Sequence, residues 1–190
     1  VTFQTISPPA DEPISVEEFA LHSNVPDDDI VIAASCLISA RGYVETYLHK
    51  RLITQTVQFT RDGFGCGGGI DLPIGPVQSI GSVEYLDHAS VWQSVSSDLY
   101  RLVQSGEPAR LQLAYGCAWP ATLPVDGNVR ITLVVGYGDS RESIDPAILA
   151  ALRLMAGHLF ENRESTLIGV SSGELPFGVK ALLSPHVLWL

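Results

Sequence analysis

The chain has 190 residues, 46% of them hydrophobic, which is enough apolar material for a core of its own. Eleven Lys and Arg against 21 Asp and Glu leave a formal net charge of -10; this excludes broad adhesion to a phosphate backbone, which needs clustered cations to release counterions. Cys36, Cys66 and Cys117 are odd in number and far apart, so they are expected to be free thiols in a reducing cytosol, not a disulfide framework or a C-x-x-C metal site.

Residues 1–14 hold Pro8-Pro9 and Pro13 and little that can pack, and are expected to form an extended amino-terminal arm. Asp11, Glu12, Glu17 and Glu18 stand where a secretory leader would need a basic segment and an apolar run, and no apolar run approaches about 18 residues, so neither leader nor membrane span is expected. Ser15-Val16-Glu17-Glu18 fits a capping box, in which a Ser hydroxyl and a Glu carboxylate three residues on satisfy each other's amides. It opens a short helix over 15–23, which Ser23-Asn24-Val25-Pro26 breaks. Asp27-Asp28-Asp29 then favours the positive end of a second helix over 28–48, striped by Ile30, Ala33, Ala34, Leu37, Ala40, Val44 and Leu48 and weakened at Gly42. A calcium loop would alternate its oxygen ligands around a Gly turn and end on Glu, so the acidic triplet reads as a helix start.

From Leu52 the period changes from helical to alternating. Strands are expected at 52–59, 77–86, 91–95, 100–103, 110–115 and 128–138, a β-rich insertion over about 52–138. Gly65 to Gly69 reads as a flexible tip; a phosphate-cradling loop would carry Gly-Lys-Ser/Thr ahead of a helix, whereas Ile70-Asp71-Leu72-Pro73 follows. Trp119, in a Pro-rich bend, is expected to cover the open end of the sheet. Asp145 as cap and Pro146 in the first turn then start a helix over 145–163, whose apolar stripe is Ile148, Leu149, Leu152, Met155, Ala156, Leu159 and Phe160. The segment 164–190 is a tail with a short helix stopped at Ser184-Pro185. Its apolar end, His186-Val187-Leu188-Trp189-Leu190, needs cover from the chain's own core or from a partner. The whole reads as α+β, with a helical core of two long helices plus short helices and an inserted antiparallel β-sheet or small barrel, the main domain spanning 15–163.

Constellations for chemistry are sparse. His22, His49, His88, His158 and His186 show no H-x-x-E-H or H-E-x-x-H spacing, there is no Gly-x-Ser-x-Gly elbow, and no metal or cofactor is expected. Two features invite a rival reading as a small cytosolic hydrolase or carbohydrate-binding module. One is the polar helix end from His158 through Glu161 to Glu164, which could act as an acid–base set; the other is Trp92, Tyr115 and Trp119 as a stacking platform. Helix ends rich in Arg and His more often answer the helix dipole or pair across subunits, and aromatics in small sheets more often fill the core.

The order of several weak motifs resembles a known family. They are Ser15-Val16-Glu17-Glu18-Phe19-Ala20; Tyr43 through Thr56; Leu72-Pro73-Ile74-Gly75-Pro76-Val77-Gln78-Ser79-Ile80; Tyr115-Gly116 with Trp119-Pro120; Val129 through Gly138; His158 through Glu164; and Leu175-Pro176-Phe177-Gly178-Val179 before Ala181-Leu182-Leu183. Together they resemble the head-tail connector (adaptor) proteins of tailed bacteriophages, found also in prophages and gene transfer agents. The Gly65–Gly69 loop is peculiar to this chain. The resemblance implies a non-enzymatic ring, usually of twelve subunits, assembled in the bacterial cytoplasm and sitting in the neck of a virion or phage-like particle. There it would lie beneath the portal protein and join it to a tail-completion or stopper protein, while DNA passes through the lumen without specific binding and no membrane is involved. On that reading Phe177, Leu182, Leu183, Leu188 and Trp189 are expected to dock on the portal, and His158, Glu161, Arg163 and Glu164 to meet a neighbouring subunit, together with the second helix. An acidic surface suits a conduit that must let DNA slide.

Overall fold

The structure is a computed structural model that describes residues 2–65, 67–162 and 177–189. The fold is α+β, with two antiparallel sheets and, among the described residues, four α-helices. The chain divides into two compact units. One comprises residues 1–10, 54–137 and 188–190 and is a β unit; the other, 11–53 and 138–187, is helical.

In the β unit a five-stranded sheet runs in the order β1-β2-β8-β4-β5, from Thr2–Ser7 (β1), Gln55–Arg61 (β2), Val129–Val135 (β8), Val77–Leu86 (β4) and Trp92–Ser94 (β5). A three-stranded sheet runs β3-β7-β6, from Gly69–Asp71 (β3), Arg110–Leu113 (β7) and Tyr100–Val103 (β6). β8 is the centre. Its alternation buries Val129, Ile131, Leu133 and Val135, and β2 answers in register with Val57 opposite Leu133 and Phe59 opposite Ile131. These residues join Phe64, Ile70, Leu72, Ile74, Val83 and Leu111 in one core. Register shifts between Val77 and Ser79 and between Ile80 and Ser82 break the alternation of β4, as bulges do.

Two strands differ from the expectation. The arm is not a bare extension: Thr2–Ser7 pairs antiparallel with β2, every residue of it exposed, so no burial pattern marked it in the sequence. The glycine-rich tip ends in β3, which pairs with β7, so its last glycine is ladder and not loop. Elsewhere the observed strands fall within or beside the expected ones, and Trp119 packs face to face on Phe64, with ring centroids 4.5 Å apart and planes 2° from parallel.

The helical unit contains α1 (Val16–Ser23), α2 (Ile30–Leu48), α3 (Pro146–Glu161) and α4 (Phe177–Leu183). Asp27–Asp29 forms one 3-10 turn before α2 begins, and Asn24 ends α1 in the left-handed region at φ 49°. α3 starts as the sequence implied, with Asp145 Oδ1 accepting from the Ala147 amide at 2.8 Å and Pro146 in its first turn. Its apolar stripe buries Ile148, Leu149, Leu152, Met155 and Ala156, and α2 packs on α3. Gly138 is required by close approach, since a Cβ there would collide with Ser143.

One buried polar side chain ties the β unit's connections together. Asn128, 4% exposed, accepts from the Gly63 amide at 2.5 Å through Oδ1, and its Nδ2 donates to Leu123 O at 2.6 Å and to Thr122 Oγ1 at 3.2 Å. Both ends of the amide are thus used, and the loop after β2 is tied to the segment entering β8. Asn128→Ala should leave the Gly63 amide unpaired and remove one of the two bonds to the Leu123 carbonyl, which keeps the Val125 amide at 2.8 Å, and lower unfolding stability by about 1–3 kcal/mol. Asn128→Asp should also destabilise, because a carboxylate cannot donate to Leu123. Denaturant titration of the three proteins measures both effects.

Candidate assembly surfaces

Two carboxylates organise the helical unit. Ser15 caps α1 as expected, its Oγ accepting from the Glu18 amide at 3.1 Å. The reciprocal half of the capping box does not form, because the Glu18 carboxylate is taken by two guanidinium groups: Arg153 Nη2 of α3 donates at 2.5 Å, and Arg141 Nη1 also donates to it. Charge-assisted bonds of this kind outcompete a neutral amide. Desolvation pushes the Glu18 carboxyl upward, but the hydrogen bonds from Arg153 and Arg141 outweigh it and hold the group below the ordinary Glu range.

Glu45 is the second. It lies near the end of α2, 4% exposed, with Oε1 accepting from the Leu52 amide at 2.9 Å and Oε2 3.5 Å from Arg41 and 3.8 Å from Arg51. Arg41 in turn binds Glu12 at 2.7 Å. Burial raises the Glu45 carboxyl above its ordinary range; the Leu52 amide and the arginines pull the other way without cancelling it. Sequence reading missed both groups. Glu18 looked like half of a capping box, and nothing local signals that Glu45 faces inward.

The residues singled out as subunit contacts lie on the last turns of α3. His158 and Glu161 line an open groove of about 580 Å³, with His22 of α1, Arg153, Leu154 and Gly157. His158 is tied to its own helix end: Asn162 Nδ2 lies 3.2 Å from Nδ1 and donates to the His158 carbonyl at 2.9 Å. Glu161 is exposed, and among the described residues no hydrogen bond joins it to His158, so no acid–base dyad is formed. Arg163 and Glu164 lie outside the described residues.

The expected docking residues are split by their surroundings. Leu183 is fully buried and Leu188 is 2% exposed, the latter beside Ile74, Pro76, Val77 and Ala109 of the β unit. These two are already engaged by the chain itself. Leu182 is half-buried, Trp189 is 79% exposed, and Phe177 starts α4. Cover for the apolar end therefore comes in part from the chain's own core, which leaves Trp189 as the large apolar side chain presented outward.

The aromatic residues considered as a sugar platform are used in other ways. Trp119 stacks on Phe64 and, at 6.5 Å, on Tyr100; Arg130 lies 4.0 Å over the Trp92 ring and binds Glu84 at 2.6 Å; Tyr115 stands fully exposed. Among the described residues Cys36 and Cys117 are in no disulfide, while Cys66 lies outside the described residues. Among the described residues no group of His, Cys, Asp and Glu could hold a metal ion, and no helix is long and apolar enough to cross a membrane.

The protein is thus α+β, with two antiparallel sheets in one unit and four described α-helices in the other. Its fold is that of gene transfer agent neck components. The chain is similar over 100% of its length, and over 97% of the other chain, to one from the neck of an empty gene transfer agent particle computed with C6 symmetry (24% identity, TM-score 0.82). It is similar with the same coverage to one from the neck of a native particle computed with C12 symmetry (24% identity, TM-score 0.80) and to one from the virion of a native gene transfer agent particle (23% identity, TM-score 0.80). No protein-family model and no curated protein sequence matches the chain.

The two carboxylates predict opposite pH behaviour. Glu18 is depressed in the fold, so its stabilisation is present above the unfolded value near 4.5 and is lost as pH falls through the folded value. Glu18→Gln should cost about 1 kcal/mol at pH 7, discounted for partial exposure, and the gap to wild type should narrow as pH falls below the unfolded value of 4.5. Glu45 is raised, so its ionisation costs stability as pH rises. Glu45→Gln, which keeps an acceptor for Leu52, should be tolerated at pH 7, whereas Glu45→Ala should lose about 3 kcal/mol by leaving the Leu52 amide without its acceptor and Arg51 without this carboxylate, while Arg41 keeps Glu12. Thermal unfolding of the variants across pH 3–8 checks each sign.

Proposed function

We propose that this chain is a structural head-tail connector subunit, not an enzyme. Twelve copies form a ring in the neck of a phage-like particle, beneath the portal, joining the capsid to a tail-completion or stopper protein around the DNA channel. The observation that carries the reading is the full-length likeness in fold to neck chains of particles computed with C6 and C12 symmetry. A cyclic ring is built from heterologous contacts, two different patches on each copy, which close by rotation.

The surfaces support the assignment. The groove bearing His158 and Glu161 supplies one patch for a neighbouring copy, with Arg163 and Glu164 assigned to the same contact. Portal docking is assigned to the carboxyl-terminal segment that carries Phe177, Leu182 and Trp189. Leu183 and Leu188 then act by holding that segment on the subunit. The formal charge of -10 suits a channel wall that passing DNA does not grip.

Deleting the tail would be a poor test, since Val179, Leu183 and Leu188 are all buried. Trp189→Ala is the sharper variant. It should change unfolding stability by less than about 0.5 kcal/mol, as surface substitutions do, yet weaken association with the portal measurably. Mass measurement of the purified protein, alone and mixed with portal, should show a ring-sized assembly for wild type. Unimpaired portal binding by Trp189→Ala would remove Trp189 from the docking surface. Because a template can be needed for assembly, the mixture is the deciding measurement.

A further inference from the structure

We propose that the outward face of α2 is a subunit–subunit surface, covered in the ring by a second copy of this chain. The proposal rests on the ring reading above and names the surface that closes it. α2 contains two charged residues, Arg41 and Glu45, and both are turned into the chain's own ion pairs with Glu12 and Arg51. What remains outside is neutral from one end to the other, with Val31 79%, Ile38 52% and Tyr43 41% exposed. A 19-residue helix with an uncharged exposed face is unusual on a solvated surface, where polar and charged residues normally stand.

Two of its outer hydroxyls are bonded to the helix itself. Ser35 Oγ donates to the Val31 carbonyl at 3.1 Å, and Thr46 Oγ1 donates to the Gly42 carbonyl at 2.7 Å. Hydroxyls bonded to their own helix need nothing from water, so the face can be dried without orphaning them. Gly42 adds an independent sign. A Cβ built there meets no atom within 4 Å, so nothing in the subunit requires glycine at this exposed mid-helix site, where it weakens the helix. A notch at that point lets another backbone approach closely.

Charge identifies the occupant. Two copies of a chain carrying a net charge of -10 repel overall, and an uncharged face lets them touch at a low electrostatic cost. Neck chains of the same fold occur in assemblies with C6 and C12 symmetry, so identical neighbours are the partners that such a face would meet. A heterologous contact also needs a second, different patch, and the groove lined by His158 and Glu161 supplies it.

The test uses full-length protein with portal and measures assembled mass against concentration. Gly42→Leu should raise the unfolding temperature, because Leu favours helix and the site is empty, while weakening ring assembly at least about tenfold by filling the notch. Ile38→Glu should remain folded and also weaken assembly about tenfold or more. Val125→Glu, at a position 45% exposed in the β unit against 52% for Ile38, should assemble normally. If wild type forms rings and the α2 variants do so at unchanged concentration, the α2 surface is wrong and the ring reading stands. Should wild type form no ring even with portal, both fall together.

Discussion

The buried carboxylate of Glu45 is the constraint on which the end of α2 depends. It holds the Leu52 amide and faces Arg41 and Arg51, so it fixes how the chain leaves α2. A charge buried to this degree must be answered or neutralised. The fold answers it with the other charged residue of the same helix. The consequence reaches the surface, because once Arg41 and Glu45 are committed inward, α2 has no charge left to show to water.

The same economy recurs at Glu18, where one carboxylate gathers Arg153 of α3 and Arg141 just before it. An acidic chain with eleven basic residues thus spends several of them on internal pairing. That leaves the excess of acid without internal partners, and one helix face, on α2, without charge. In the ring proposed above, neutral faces are where copies could join and acidic ones are where passing DNA would not be held.

The carboxyl-terminal segment shows how one apolar stretch is divided between core and surface. Val179, Leu183 and Leu188 are buried, as ordinary core residues are, while Trp189 is left outside. Composition alone could not divide them, since Leu188 and Trp189 are adjacent and comparably apolar. Backbone direction at the end of the segment settles which one faces in.

By itself the sequence determined the elements whose signals are local: the α1 cap at Ser15, the α3 start at Asp145-Pro146, the stripe from Ile148 to Ala156, and the alternation of β8. These follow from hydrogen bonds and periodicities confined to a few neighbouring residues. Tertiary structure alone decided the pairing of Thr2–Ser7 with β2, the strand hidden in the glycine-rich loop, the diversion of Glu18 to two arginines, the inward turn of Glu45 and the Asn128 lock. Each depends on a partner far along the chain, and strand pairing or burial of a polar group has no short-range period by which it could be read. The uncharged face of α2 lies between the two cases, since its residues are plain in the sequence but their exposure depended on where Arg41 and Glu45 found their partners.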